Sequence, residues 1–403
     1  MKAGTNTSKL RVLLARRSSV ATVALCVGSL YLFARQLYVV NYCAVQVQGY
    51  LSDQGETMTM HQYDHHHHQF HQNWIPQLPP LIFPIPHPRY FFGIFTFDGE
   101  QEAEMRQAIR TTYFSKNYNN QQTQTLGTNT VCSLAEILSN NSLAQDESTC
   151  RIIFSFVAAG GDPKQKPTVC YWPTCATGTS DFLLPPGKDP YNMSRALRNE
   201  QARYKDFCFL AIQENPNEGK SETFFSFAVI LSIERPDLRI GFIGKLDTDT
   251  LFFANDFVND FVDNATVRRR RMLQHPFIYA GWEITREVCS QVSMNRVCAN
   301  DGFHAPLFMP GGFYFLSQPL ARHAFLDGLS REEKESAHFP HHEDMSIANI
   351  VFLRPPVGNN ITIVRIAFLP PASHSKTVPN NFFALHPIKN PGAFISNYTE
   401  RFN

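Results

Sequence analysis

The stretch IGFIGKLDTDTLFF, Ile240 to Phe253, decides how the chain is read, because an apolar run ends abruptly on the acidic triplet Asp247-Thr248-Asp249. Ile240 to Lys245 has the length and apolar density of a buried strand, and a second apolar run follows the triplet. Working outward, Phe91 to Phe97, Ile152 to Ala158 and Phe207 to Ile212 read as earlier strands, with helices over Glu102 to Phe114 and Glu222 to Ser232. Strands alternating with helices predict an α/β body with a central, mostly parallel sheet flanked by helices. Ligands of such sheets collect at the carboxyl ends of the strands, which is where the triplet falls. Asn117 to Thr130 fits neither period and reads as an insertion loop.

Two carboxylates at i and i+2 on one loop suit Mn2+ or Mg2+, hard cations that prefer oxygen, and leave coordination positions for diphosphate oxygens. A D-x-D alone is commonly a solvated turn; its placement at a strand end gives this one weight. Arg106 and Arg110 are four apart and share one helix face, where they either bind phosphate or pin an acidic loop. Lys245 either pairs with Asp247 or supports a bound diphosphate. Glu343-Asp344 precedes an apolar helical segment, Ile347 to Phe352, and either caps that helix or lines the site.

Charge and composition narrow the class. Lys plus Arg (36) nearly cancels Asp plus Glu (35), so no overall field gathers nucleic acid, which is excluded as an expected partner. With 43% apolar residues and 34 Phe the chain supports a thick core. Lys2, Lys9, Arg11, Arg16 and Arg17 precede an apolar run, which predicts a cytosolic tail over 1–17 and a signal anchor crossing a membrane over 18–40. A cleaved signal peptide is the competing reading. Residues 41–87, rich in Gln, His and Pro, read as a stem, with 88–403 as the lumenal body. The run His65 to His68 is read as a solvated spacer, and Arg268 to Arg271 as a solvated loop. Cys170/Cys175 and Cys289/Cys298 are spaced as loop staples for an oxidising lumen, and sequons at Asn140, Asn192, Asn264, Asn360 and Asn397 agree with that compartment.

Several segments, in order, resemble the β-1,3-glycosyltransferases, the family of the β-1,3-galactosyl- and N-acetylglucosaminyltransferases and the fringe enzymes. Arg106 to Tyr113 resembles R-x-x-I-R-x-T-W with Tyr for Trp, and Glu200 to Asp206 matches E-x-x-x-Y-x-D. Lys245 to Asp249 resembles K-x-D-D-D with Thr248 in the middle; Pro310 to Ser317 resembles a glycine-rich segment near the acceptor, and Glu343-Asp344-Met345 an acidic E-D-V.

The resemblance implies a GT-A-like, Rossmann-like nucleotide-sugar-binding domain. It implies inverting transfer of galactose or an N-acetylhexosamine from a UDP-sugar to a glycan hydroxyl on protein or lipid, through a β-1,3 linkage. It also implies a Golgi type II membrane protein, with a homodimer among the partners to test. Under it, Asp247 and Asp249 ligate Mn2+ (or Mg2+) and His386 completes the shell. Asp344 acts as base with Glu343 as its rival. Gly311 and Gly312 contact the acceptor, while Arg106, Arg110, Lys245 and Asp247 are expected by their chemistry to serve the nucleotide and Trp282 by its aromatic face to stack on an acceptor sugar. The rivals are a non-catalytic lumenal glycan-binding protein or chaperone of the same fold and, in another class, a metal-dependent phosphohydrolase, which lacks a second acidic cluster.

Overall fold

The computed structural model describes residues 83–114, 130–172, 175–215, 218–266, 270, 273–281, 308–337, 343–353, 356, 361–366, 368–369 and 383–402. The tail, anchor and most of the stem fall outside these residues, as do Trp282, Cys289, Cys298 and Asn360. Among the described residues no helix is long and apolar enough to cross a membrane.

Eleven strands are present among the described residues: β1 Arg89–Phe95, β2 Val131–Ser133, β3 Ile152–Gly161, β4 Phe207–Gln213, β5 Ile240–Asp247, β6 Leu251–Phe252, β7 Ile278–Gly281, β8 Phe313–Ser317, β9 Thr362–Arg365, β10 Phe368–Leu369 and β11 Ala384–Leu385. The helices of ten or more residues are α1 Glu100–Thr111, α2 Arg195–Tyr204, α3 Lys220–Glu234, α4 Glu343–Leu353 and α5 Pro391–Phe402.

The main sheet runs β2-β3-β1-β5-β8-β7-β9, with β4 also paired to β3. Pairing is parallel from β2 through β5, and β8 is antiparallel to both β5 and β7. The sheet is therefore mostly parallel, with one reversed strand beside β5. Every residue of β1 and β3 is buried, as a parallel strand covered on both faces requires.

Side chains alternate between two layers. Phe91, Ile153 and Ile243 join α3 in one core, while Phe92, Phe154 and Phe242 join Met105 and Ile109 of α1 in the other. Residues Lys220 to Ser232 of α3 are all buried, so this helix is covered around its whole circumference and central to its layer. Disulfides join Cys132 to Cys150 and Cys170 to Cys175, the second being one of the two expected staples.

The expected strand Phe91 to Phe97 begins and ends two residues earlier, leaving Phe97 exposed past the strand end. The following helix likewise starts two residues earlier than expected, with Glu100 and Glu102 in its first turn, where carboxylates oppose the positive end of the helix dipole. The register Phe95↔Asp247 puts the end of β1 beside the triplet. A second sheet, β10-β11-β6, lies just past it, with β11 antiparallel to β6 and Leu385 opposite Leu251.

Candidate active site

Asp247 ends β5, and the loop after it is held from three sides. Thr250 Oγ1 donates to the Gly312 carbonyl at 2.7 Å, and Tyr113 donates its phenol O–H to the Thr250 carbonyl at 3.3 Å. Ile388 N–H donates to the Asp249 carbonyl at 2.8 Å. This last bond and the β6–β11 pairing bring His386 to the triplet, since β6 starts two residues after Asp249 and β11 ends one residue before His386. His386 Nε2 is 3.1 Å from Asp249 Oδ1 and 3.9 Å from Asp247 Oδ2.

One ligand atom from each of Asp247, Asp249 and His386 lies within 4.8 Å of the others. Two carboxylates and an imidazole form a mixed oxygen and nitrogen donor set suited to a divalent first-row cation. All three are partly exposed, so ligand oxygens and water can complete a shell. The residues fit a metal of the kind the resemblance implies.

Lys245 lies behind the trio, buried, with its Nζ 2.6 Å from Glu343 Oε2, 3.4 Å from Asp247 Oδ1 and 3.6 Å from Asp344 Oδ1. Burial opposes its charge, but Asp247, Glu343 and Asp344 outweigh it and hold the ammonium's pKa well above the usual lysine value. Burial pushes Asp247 up to about 7, against Lys245 and with the aid of Asp344 and Asp249. Burial also raises Asp344, with Glu343 adding and Lys245 and the Gly311 N–H opposing. Four carboxylates and one ammonium in the site, Asp249 included, leave an excess of negative charge that a cation offsets.

Glu343 and Asp344 open α4 but have different partners. Glu343 Oε1 accepts from the Ser221 N–H at 3.0 Å and from the Ser221 hydroxyl at the start of α3, and its Oε2 takes Lys245. Asp344 Oδ2 accepts from the Gly311 N–H at 2.6 Å, and its Oδ1 is buried without a hydrogen-bond donor among the described residues. Gly311 and Gly312 face the site directly. A Cβ at Gly311 would stand 2.7 Å from Asp344 Oδ1, and one at Gly312 2.7 Å from His386 Cγ, so these positions admit only glycine without displacing those side chains.

The helix arginines take the second of their two readings. Arg106 donates to both Glu200 oxygens at 2.8 and 2.7 Å, to Thr96 Oγ1 at 2.7 Å and to the Phe97 carbonyl at 2.9 Å. Arg110 donates to both Asp206 oxygens at 2.7 and 2.9 Å and to Glu200 Oε1 at 2.6 Å, with Tyr204 stacked 4.1 Å away. Burial would raise Glu200, but bonds from both arginines outweigh it and lower its pKa. With side chains 1% and 9% exposed, Arg106 and Arg110 pin the acidic motif Glu200 to Asp206. The sequence motifs showed both halves of this cluster without showing that they meet.

Sequence reasoning missed Glu102, Thr96 and Ser221. The spacing of Glu102 four residues before Arg106 was the available signal for the first.

A family model described as galactosyltransferase matches residues 178–358. The chain carries a galactosyltransferase-family domain. This is the family of β-1,3-galactosyl- and N-acetylglucosaminyltransferases that the motifs resemble. No curated protein matches the chain significantly. The matched segment of the galactosyltransferase domain holds Lys245, Asp247, Asp249, Gly311, Gly312, Glu343 and Asp344. The helix α1 and His386 lie outside it, and the structure brings them to the same place.

Proposed function

We propose that the chain is a metal-dependent, inverting hexosyltransferase of GT-A-like fold. It would move galactose or an N-acetylhexosamine from a UDP-sugar to a hydroxyl of a glycan acceptor through a β-1,3 linkage. The galactosyltransferase-family domain over residues 178–358 supports a glycosyltransferase and implies a nucleotide-sugar donor. The observation that carries the finer reading is the convergence of Asp247, Asp249 and His386, with Asp344 linked to Asp247 through the Lys245 ammonium.

Asp247, Asp249 and His386 would hold Mn2+ or Mg2+, which supplies charge neutralisation for a departing diphosphate. Asp344 takes the proton of the acceptor hydroxyl. The acceptor oxygen then forms its bond to C1 of the sugar as the bond from C1 to the phosphate oxygen breaks, and the electron pair leaves with UDP. Three facts support Asp344 over Glu343: both oxygens of Glu343 accept hydrogen bonds, Asp344 Oδ1 has no hydrogen-bond donor among the described residues and only the Lys245 ammonium 3.6 Å away, and burial raises the Asp344 pKa. Lys245 holds the two carboxylate sets at fixed spacing. Gly311 and Gly312 let the segment before β8 approach both, and we assign acceptor contact to that segment and to Trp282.

The same reading puts the domain over 88–403 in the Golgi lumen, behind a tail over 1–17, an anchor over 18–40 and a stem over 41–87, with a homodimer to be tested. The deciding experiment incubates the full chain with a panel of UDP-sugars and glycan acceptors, with and without Mn2+. Turnover that needs Mn2+, is lost in Asp249→Ala and is lost in Asp344→Asn with UDP binding kept supports the assignment. UDP binding without turnover of any donor would replace it with a glycan-binding or chaperone role.

A further inference from the structure

The middle residue of the triplet does not face the metal trio. Thr248 is buried, and its Oγ1 donates to the Glu102 carboxylate of α1 at 3.0 Å from each oxygen. Thr96, just past β1, donates its own hydroxyl to Glu102 Oε2 at 2.7 Å and accepts from Arg106 Nη1 at 2.7 Å. Each hydroxyl has one proton, and both point to the Glu102 carboxylate. Arg106 is in turn fixed by Glu200, and Glu200 by Arg110.

β5 ends at Asp247, and the Thr250 N–H donates to the Asp247 carbonyl at 3.0 Å, closing a turn whose inner residues are Thr248 and Asp249. Holding Thr248 against α1 therefore pins the middle of that turn, with Asp247 and Asp249 on either side of it presented to His386. An aspartate at position 248, as in the K-x-D-D-D pattern, would set a second carboxylate against Glu102 at hydrogen-bond distance.

We propose that Glu102 is the positioning residue of the metal-binding triplet, supplying from α1 the carboxylate that this chain lacks at position 248. Its purchase on the Thr248 hydroxyl fixes the aim of both metal-ligating aspartates. The inference rests on the metal reading of Asp247, Asp249 and His386.

The test uses the full chain with Glu102→Gln, Thr248→Asp and the exchange variant Glu102→Thr/Thr248→Asp. Two readouts are taken: deuterium uptake of the peptide covering 245–252 in metal-free protein, and Mn2+ affinity by calorimetry with UDP present. Both single variants raise uptake at 245–252 while β3 keeps wild-type protection. They weaken Mn2+ about tenfold or more, as loss of a partner behind a metal ligand does, and the exchange variant recovers most of that loss. Thr248→Asp with wild-type Mn2+ affinity, or an exchange variant no tighter than Thr248→Asp, overturns the proposal. Wild-type protein that binds no Mn2+ refutes the metal reading instead, and uptake at 245–252 then decides the role of Glu102 alone.

Discussion

Replacing Lys245 with Met tests whether the site is built around excess negative charge. At an effective dielectric near 20, a unit charge pair at 2.6 Å is worth roughly 6 kcal/mol, and pairs at 3.4 and 3.6 Å about 5 kcal/mol each. Desolvation of the ammonium and repulsion among the three carboxylates offset most of that sum. Breaking a buried pair leaves its partner uncompensated and costs about 3–5 kcal/mol. Glu343 keeps the Ser221 donors, and the Met side chain packs where Lys245 now lies against Phe95, so the lower end applies. At roughly 2–4 °C per kcal/mol, a 3 kcal/mol loss lowers the melting temperature of the metal-free protein by about 6–12 °C.

Mn2+ should oppose the loss. With the ammonium gone, the acids bind a cation more tightly, and a ligand at a hundred times its Kd stabilises by about 2.7 kcal/mol. Thermal unfolding with and without saturating Mn2+ reads both effects. A Lys245→Met protein that melts with the wild type in the absence of metal refutes the reasoning. So does one whose Mn2+-induced rise is smaller than the wild type's.

Four further outcomes follow. His386→Ala should weaken Mn2+ by at least about tenfold in calorimetry while leaving the metal-free melting temperature close to wild type, because the imidazole is at the surface of the site. Arg110→Met should cost about 3–5 kcal/mol in chemical unfolding by leaving Glu200 and Asp206 short of a partner. Asp344→Asn should lower kcat by roughly 100-fold or more with donor affinity kept, as loss of a general base does. Asp247 sets a pH dependence. Its folded pKa of about 7 lies above the unfolded value, so the stability it contributes is full in acid and is lost as pH rises through 7, and Asp247→Asn flattens that slope. Mn2+ binding has the opposite sign, since below pH 7 the cation must displace the proton, and affinity measured at pH 6 should fall below that at pH 8.

The sheet was legible where strands are long and buried on both faces. β1, β3, β4 and β5 each give an apolar run that no helix period explains, and the alternation of runs with α1 and α3 named the class. Phe313 to Ser317 falls in the segment that reads as glycine-rich, and Ile278 to Gly281 carries no strand expectation. They are short, and their pairing with each other and with β5 is set by partners far away in the chain. A strand of two residues has no period at all, so nothing local marked β6 and β11. That is why His386 came from resemblance alone.

Charged residues show a similar division. The acids of the triplet and of Glu343-Asp344 stand at a strand end and a helix start, positions where a carboxylate has a local reason to be. Whether a charge faces ligand or core is a question about its partner, and Arg106 and Arg110 turned out to have theirs in Glu200 and Asp206, ninety or more residues away. The arginines nonetheless bear on the site: Arg106 orients Thr96, Thr96 and Thr248 share Glu102, and Thr248 separates the two aspartates that face His386. A cluster that resembles a phosphate clamp in sequence thus acts through three hydrogen bonds on a loop it does not touch. Weakening it should alter the geometry of the Asp247, Asp249 and His386 trio through those bonds.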